Sequence, residues 1–228
     1  MRARDAIKAI PLLGPRAARL RQALRGQAEP FTSSSSYWET RYHTGGNSGS
    51  GSYRRLAEFK ADVLNRFIRE HKVDSVLELG CGDGAQLTLA EYPRYVGCDV
   101  AETAVATCRQ RFAGDHTKQF MLLSELPATA VTDLTLSLDV IYHLVEDDVF
   151  DKYMTTLFDR SLAWVAIYSS NEEAQQQAPH VRHRRFSDWI EQNRGDWKLA
   201  MTVPNAYPFD PERPDETSSA DFFFYSKR

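Results

Sequence analysis

At 228 residues with a formal net charge of −3, the chain has the length of one α/β domain with an appendage, enough to bury a full core. The charge is uneven: residues 1–28 carry seven basic side chains against Asp5 alone, a net +6, which leaves the body at −9 and argues against general nucleic-acid binding. Three cysteines, Cys81, Cys98 and Cys108, lack metal-ligand spacing and point to reduced thiols in a cytoplasmic protein, and no apolar run reaches the roughly 20 residues of a membrane span.

In the basic segment, Leu13, Ala17, Leu20 and Leu24 recur at helical spacing between arginines, while Pro11, Gly14 and Pro15 interrupt any longer helix. A solvated terminal helix satisfies this pattern; so does a surface that docks on a protein partner or an anionic membrane, or an organelle transit peptide. Residues 28–36, with Pro30 and a run of four serines, read as a linker. Tyr37, Trp38, Arg41, Tyr42 and His43 then lead into a glycine- and serine-rich loop over 45–53. Bulky side chains beside so flexible a loop suggest a lid that closes over a ligand, with Tyr37, Trp38, Arg41 and Tyr53 as its contacts. Over 53–71, Leu56, Phe59, Val63, Leu64, Phe67 and Ile68 form an amphipathic stripe that predicts a helix covering one face of a sheet. The chain thus divides into the basic segment 1–28, a linker, lid and covering helix over 29–70, and a core over 71–228.

The first strand of that core, 75–79, runs into Gly80-Cys81-Gly82-Asp83-Gly84-Ala85. An apolar strand ending in a glycine-rich turn lets a backbone approach a ligand closely. The glycines alone admit a dinucleotide fold, since Gly80, Gly82 and Ala85 satisfy its spacing. Glu78 is more discriminating, because an acid inside an apolar strand needs a partner, which a cationic or donor-rich ligand supplies. A short helix is expected over 85–91 and a second strand over 95–99. Asp99 ends that strand fifteen residues after Gly84, where an acid can accept both hydroxyls of a ribose or cap the helix predicted over 102–112.

Glu78, Gly80, Gly82 and Gly84, as E-x-G-x-G-x-G, together with Asp99, resemble the cofactor motifs of class I S-adenosylmethionine (SAM) methyltransferases. The resemblance implies a three-layer α/β/α sandwich whose seven-stranded, mostly parallel sheet has an antiparallel last strand. It also implies SAM as cofactor and S-adenosylhomocysteine (SAH) as product. The methionyl part would lie on Glu78 and the glycine turn with Cys81, the ribose on Asp99 beside Val100, and the adenine near Ser124 and Glu125 after a third strand at 119–123. Residues after the fourth strand, 134–138, face both sulfonium and acceptor in this family. There Asp139 would stabilise the cofactor or hold the acceptor, Tyr142 would contact the acceptor, and His143 would take its proton, with an unperturbed pKa of about 6.5.

A helix over 146–159 and an apolar fifth strand over 162–168 follow. His180, Arg182, His183 and Arg184 then form a basic cluster before a helix at 188–193. Its position beside the expected acceptor mouth suggests an anionic acceptor such as a phosphate or sugar acid. No further ligand spacing supports zinc at His180 and His183, and the family reading requires no metal. Strands at 197–203 and 221–225, joined by a proline-rich loop, match the family's closing pair, which a dehydrogenase does not need. The aromatic, glycine-rich lead-in and the stretches DVIYHL and HVRHRRF further resemble stand-alone methyltransferases of bacterial surface-glycan biosynthesis. That implies O-methylation of a sugar or sugar acid, with residues 1–28 at the inner membrane surface. An O- or N-methyltransferase of a small metabolite, or a SAM-binding protein without transfer, needs the same core. Absence of a D/N-P-P-Y/F/W element argues against methylation of base amino groups in nucleic acids.

Overall fold

In a computed structural model of the chain, residues 31–174 and 178–228 are described; the basic segment 1–28 and the roles expected of it lie outside them. Seven strands form one sheet: β1 (Val76–Leu79), β2 (Tyr95–Asp99), β3 (Lys118–Leu122), β4 (Thr132–Leu138), β5 (Ser161–Ser169), β6 (Trp197–Val203) and β7 (Asp221–Lys227), in the order β3-β2-β1-β4-β5-β7-β6. β1 pairs in parallel with β2 and β4, and the parallel run extends to β3 and β5. β7 inserts antiparallel between β5 and β6, as expected of the closing pair. The strand order reverses between β1 and β4, so the crevice at their carboxyl ends is the natural ligand site of such a sheet.

Alternation along β1 explains the layers. Val76 faces a core built with Leu64, Phe67 and Ile68 of α2 (Arg54–His71), whereas Leu77 and Leu79 face a second core with Phe150, Met154 and Leu157 of α4 (Asp147–Asp159). Phe222 and Phe224 of β7 continue the first core and Tyr225 the second. Helix α3 (Glu102–Arg111) lies on the α2 side through Val105 and Cys108, and α5 (Phe186–Asn193) on the α4 side through Phe186 and Ile190. Truncating a side chain as enclosed as Leu64, with 0% exposure, costs about 2–5 kcal/mol in such cores.

The structure corrects two local expectations. The serine run is the start of a helix, α1 (Ser34–His43), because Ser33 Oγ accepts from Ser36 N at 3.2 Å and caps it. The short helix expected over 85–91 is a single 3₁₀ turn, Gln86–Leu89. Among the described residues no helix is long and apolar enough to cross a membrane.

Candidate active site

The glycine turn folds back on the neighbouring strand: Gly80 N and Cys81 N both donate to Cys98 O, at 2.7 and 3.0 Å. Gly80 has φ +87°, and a Cβ there would stand 2.5 Å from Val140 Cγ2. A side chain at Gly82, φ +57°, would meet Ser48 Oγ at 2.3 Å. Glycine is therefore required at both positions for conformation and for space. The turn opens into a cavity of about 340 Å³ lined by Trp38, Tyr42, Glu78, Gly80, Cys81, Gly82, Asp99, Val100, Asp139 and His143, with Lys60, Gln86, Leu123 and Val140.

Two buried acids set its polarity. Glu78 is 5% exposed; burial pushes its carboxyl up to about 7 against the opposing hydrogen bond from Tyr95 OH, which reaches Oε2 at 2.6 Å. Asp99 is likewise held above the usual carboxylate range by burial, although its oxygens accept from Gly82 N and Ala101 N, each at 2.9 Å. The Cys81 thiol is pushed up by its contact with Cys108 and by burial, so it is an inert part of the wall.

Asp139 leaves β4 in the left-handed region, φ +59°. Its Oδ2 accepts from Lys60 Nζ at 2.6 Å and its Oδ1 from Tyr142 OH at 2.8 Å. His143 follows in the 3₁₀ turn Ile141–His143. Its Nδ1 lies 3.0 Å from His180 O, and a carbonyl can only accept, so Nδ1 carries the proton and Nε2 is the basic atom. Burial lowers its pKa to about 4, keeping the ring neutral near pH 7. Trp38 meets its face edge-on at 4.8 Å between centroids.

The lid expected around 37–53 is tied down by a residue the sequence did not single out. Asp83, in the glycine turn, accepts from Tyr53 OH at 2.6 Å and Ser48 N at 3.1 Å, while its own N–H donates to Ser48 Oγ at 2.9 Å. At its other end α1 is held by Ser34 N and Oγ donating to Glu146 and by Thr103 donating to Glu39. Trp38 and Tyr42 point into the cavity, but Tyr53 is on Asp83, Tyr37 stacks on His180 at 4.2 Å, and Arg41 donates to Asn47 O and Tyr37 OH. Ser124 and Glu125 are exposed, with Glu125 capping the turn after β3, and Leu123 takes the cavity face expected of them. Gly84 packs against Cys108 and Phe112 instead of lining the cavity.

The basic cluster also departs from expectation. Arg182 and Arg184 both pair with Asp147, at 3.0 and 2.6 Å, and donate to Val145 O. Their charge is spent on the start of α4, not presented to a ligand. His183 bonds Ser170 Oγ through Nδ1 at 2.7 Å and lines a second cavity with Tyr142. Among the described residues no group of three or more His, Cys, Asp or Glu side chains is arranged to hold a metal ion. Lys60 and Gln86 escaped the sequence reading, yet a lysine at i+4 from Leu56 and i−4 from Leu64, inside the apolar stripe of α2, is a legible sign of a buried cation.

Comparison with known proteins agrees with the fold. The family described as "methyltransferase domain" matches residues 77–157, from β1 to α4. The mRNA cap guanine-N(7) methyltransferase 1 of Oryza sativa subsp. japonica is 34% identical over 84 residues, which are 36% of this chain and 23% of that protein; the chain thus matches about a quarter of that relative's length. The crystal structure of N-methyltransferase NodS from Bradyrhizobium japonicum WM9 with SAH superposes with a TM-score of 0.67 at 14% identity, covering 86% of this chain and 99% of that one. Magnesium protoporphyrin IX methyltransferase from Synechocystis PCC 6803 with bound SAM gives 0.62 at 14% identity, covering 88% and 100%.

Proposed function

We propose, from the premise that fold and methyltransferase domain make this chain a class I SAM-dependent methyltransferase, that its first cavity holds SAM and that it methylates a hydroxyl of a sugar or sugar acid in glycan biosynthesis. The observation that carries the cofactor reading is the convergence of Glu78, the glycine turn and Asp99 on one cavity. Its residues fit that cofactor. The two buried carboxylates accept from an ammonium and from ribose hydroxyls, while Leu123, Val100 and Val140 offer apolar surface to a flat base. Gln86 Oε1 is buried without a partner, its amide nitrogen donating to Ala57 O, so a donor from the ligand would satisfy it.

When bound, SAM supplies an electrophilic methyl group. The chain's own task is then to align the acceptor oxygen and remove its proton. His143 Nε2 is the atom for this: His180 O fixes the ring, Trp38 covers it, and burial keeps it unprotonated. The same burial weakens it as a base, which places its contribution toward the lower end of the ~10²–10⁴-fold typical of general bases. The acceptor's oxygen gains the methyl, its proton passes to His143, and solvent reclaims that proton. Residues 1–28, with their net +6, suit a cytoplasmic protein that rests on the anionic inner surface of a membrane where glycans are assembled.

The test is transfer of labelled methyl from SAM by purified protein to separated glycan, lipid-linked glycan, small-molecule, protein and nucleic-acid fractions. Label in a glycan fraction supports the proposal. Label confined to small molecules assigns a metabolite acceptor instead, and SAH binding without transfer to any fraction favours a binding protein.

A further inference from the structure

A second cavity, of about 280 Å³, adjoins the first, and Asp139 stands in the wall of both. Its surroundings combine aromatic rings with hydroxyls and lack any lysine or arginine. Phe209 is 55% exposed on its rim, fixed by the bridge between Pro208 and Ser218. Asn205 steadies the same loop, donating to Tyr168 OH at 2.7 Å and Ala220 O at 3.1 Å. Ser218 and Ser219, on this held segment, line the cavity with Tyr142. The cavity's carboxylates are Asp139, which Lys60 neutralises, and Glu172, which has no hydrogen bond or ion pair among the described residues. The nearby Arg182 and Arg184 are committed to Asp147.

We propose that this cavity seats the acceptor, and that it selects an uncharged, hydroxyl-rich ring over the matching ring acid. The proposal rests on the methyltransferase reading and narrows its acceptor. An exposed aromatic face packs against the C–H face of a sugar ring, and a free carboxylate with neighbouring hydroxyls accepts and donates to its hydroxyl groups. An acid at the same place meets the charge of Glu172, with no lysine or arginine in the lining to offset it. For transfer, the ring's remaining hydroxyl extends past Asp139, which lines both cavities, toward His143 in the first.

The test uses the full chain saturated with SAH, its binding confirmed by calorimetry. Methyl glucoside, methyl galactoside and their methyl uronosides are titrated as probes by saturation-transfer NMR. The expected result is at least tenfold tighter binding of a neutral glycoside than of its uronoside. Glu172→Lys should erase or invert that ratio, Phe209→Ala should weaken both probes several-fold, and SAH affinity should hold in each variant. Equal or tighter uronoside binding, a ratio indifferent to Glu172→Lys, or binding of none of the probes overturns the proposal while leaving the cofactor reading intact. Failure of SAH to bind removes the methyltransferase reading itself, and this one with it.

Discussion

Lys60 Nζ lies 2.6 Å from Asp139 Oδ2, with the lysine side chain 1% exposed and the aspartate 14%. The pair joins the covering helix α2 to the exit of β4, at the wall shared by both cavities. Removing one partner strands a largely buried charge, which typically costs about 3–5 kcal/mol. Lys60→Met should therefore lower the stability in urea by that amount. The double variant Lys60→Met/Asp139→Asn should recover part of it, since neither half of the pair is then left charged and alone. Additive losses in that cycle would mean that the two residues act independently.

The pH response of His143 follows from its burial. Its pKa is lowered to about 4 in the folded protein, against about 6.5 for a free imidazole. As pH falls below about 6.5 the unfolded chain takes up this proton first, so the neutral ring's stabilising contribution is complete above that value and is lost on the way down to about 4. For catalysis, the acid limb belonging to His143 should fall near pH 4, not near 6.5. His143→Ala should slow transfer by about 100-fold while SAH affinity holds. Unchanged turnover would remove the ring from the chemistry.

Much of this site was legible because its residues break the pattern of their own elements. Glu78 interrupts an apolar strand, three glycines follow it, and Asp99 ends the next strand; the structure gathers Glu78, Asp99 and two of those glycines around one cavity. The closing strands were equally readable from their apolar composition and the proline-rich connection. What escaped depends on distant partners. Nothing local tells that Asp83 rather than a lid aromatic fixes the loop, or that Asp147 absorbs two arginines from 35 and 37 residues away. Ser33 misled for a related reason: serine favours both linkers and helix starts, and only the bond to Ser36 N decides between them.

Asp83 gives the lid a specific tether. Burial raises its carboxyl, but hydrogen bonds from Tyr53, Ala85 and Ser48 outweigh that and hold it below the usual range, so it is ionised wherever the protein is folded near neutrality. Asp83→Ala removes the acceptor for Tyr53 OH and Ser48 N together. The loop over 44–52 should then be cut faster by proteases, and SAH should bind several-fold more weakly although Glu78 and Asp99 are intact. Phe substituted for Tyr53 should show a milder form of both effects. Unaltered cleavage in Asp83→Ala would show that the anchors of α1 on Glu146 and Thr103 suffice.

Glu78 links cofactor binding to pH. Its carboxyl is pushed up to about 7 by burial in the ligand-free protein, whereas a free glutamate ionises near 4.3. The sign is that of a raised acid: its stabilising contribution is complete below the unfolded value and is lost as pH rises through about 7, because the folded cavity must then carry an uncompensated charge. An ammonium-bearing ligand reverses this penalty. SAH affinity should therefore increase about tenfold per unit as pH rises toward 7 and level off above it, and the thermal shift it produces should be larger at pH 8 than at pH 6. Glu78→Gln should bind more weakly at pH 8 and lose this proton linkage. Calorimetry in two buffers of different ionisation heat measures the proton released on binding at pH 6.5; release in wild type and none in the variant is the expected pair of results. A wild-type affinity flat from pH 6 to 8 would place the ligand's charged group away from Glu78.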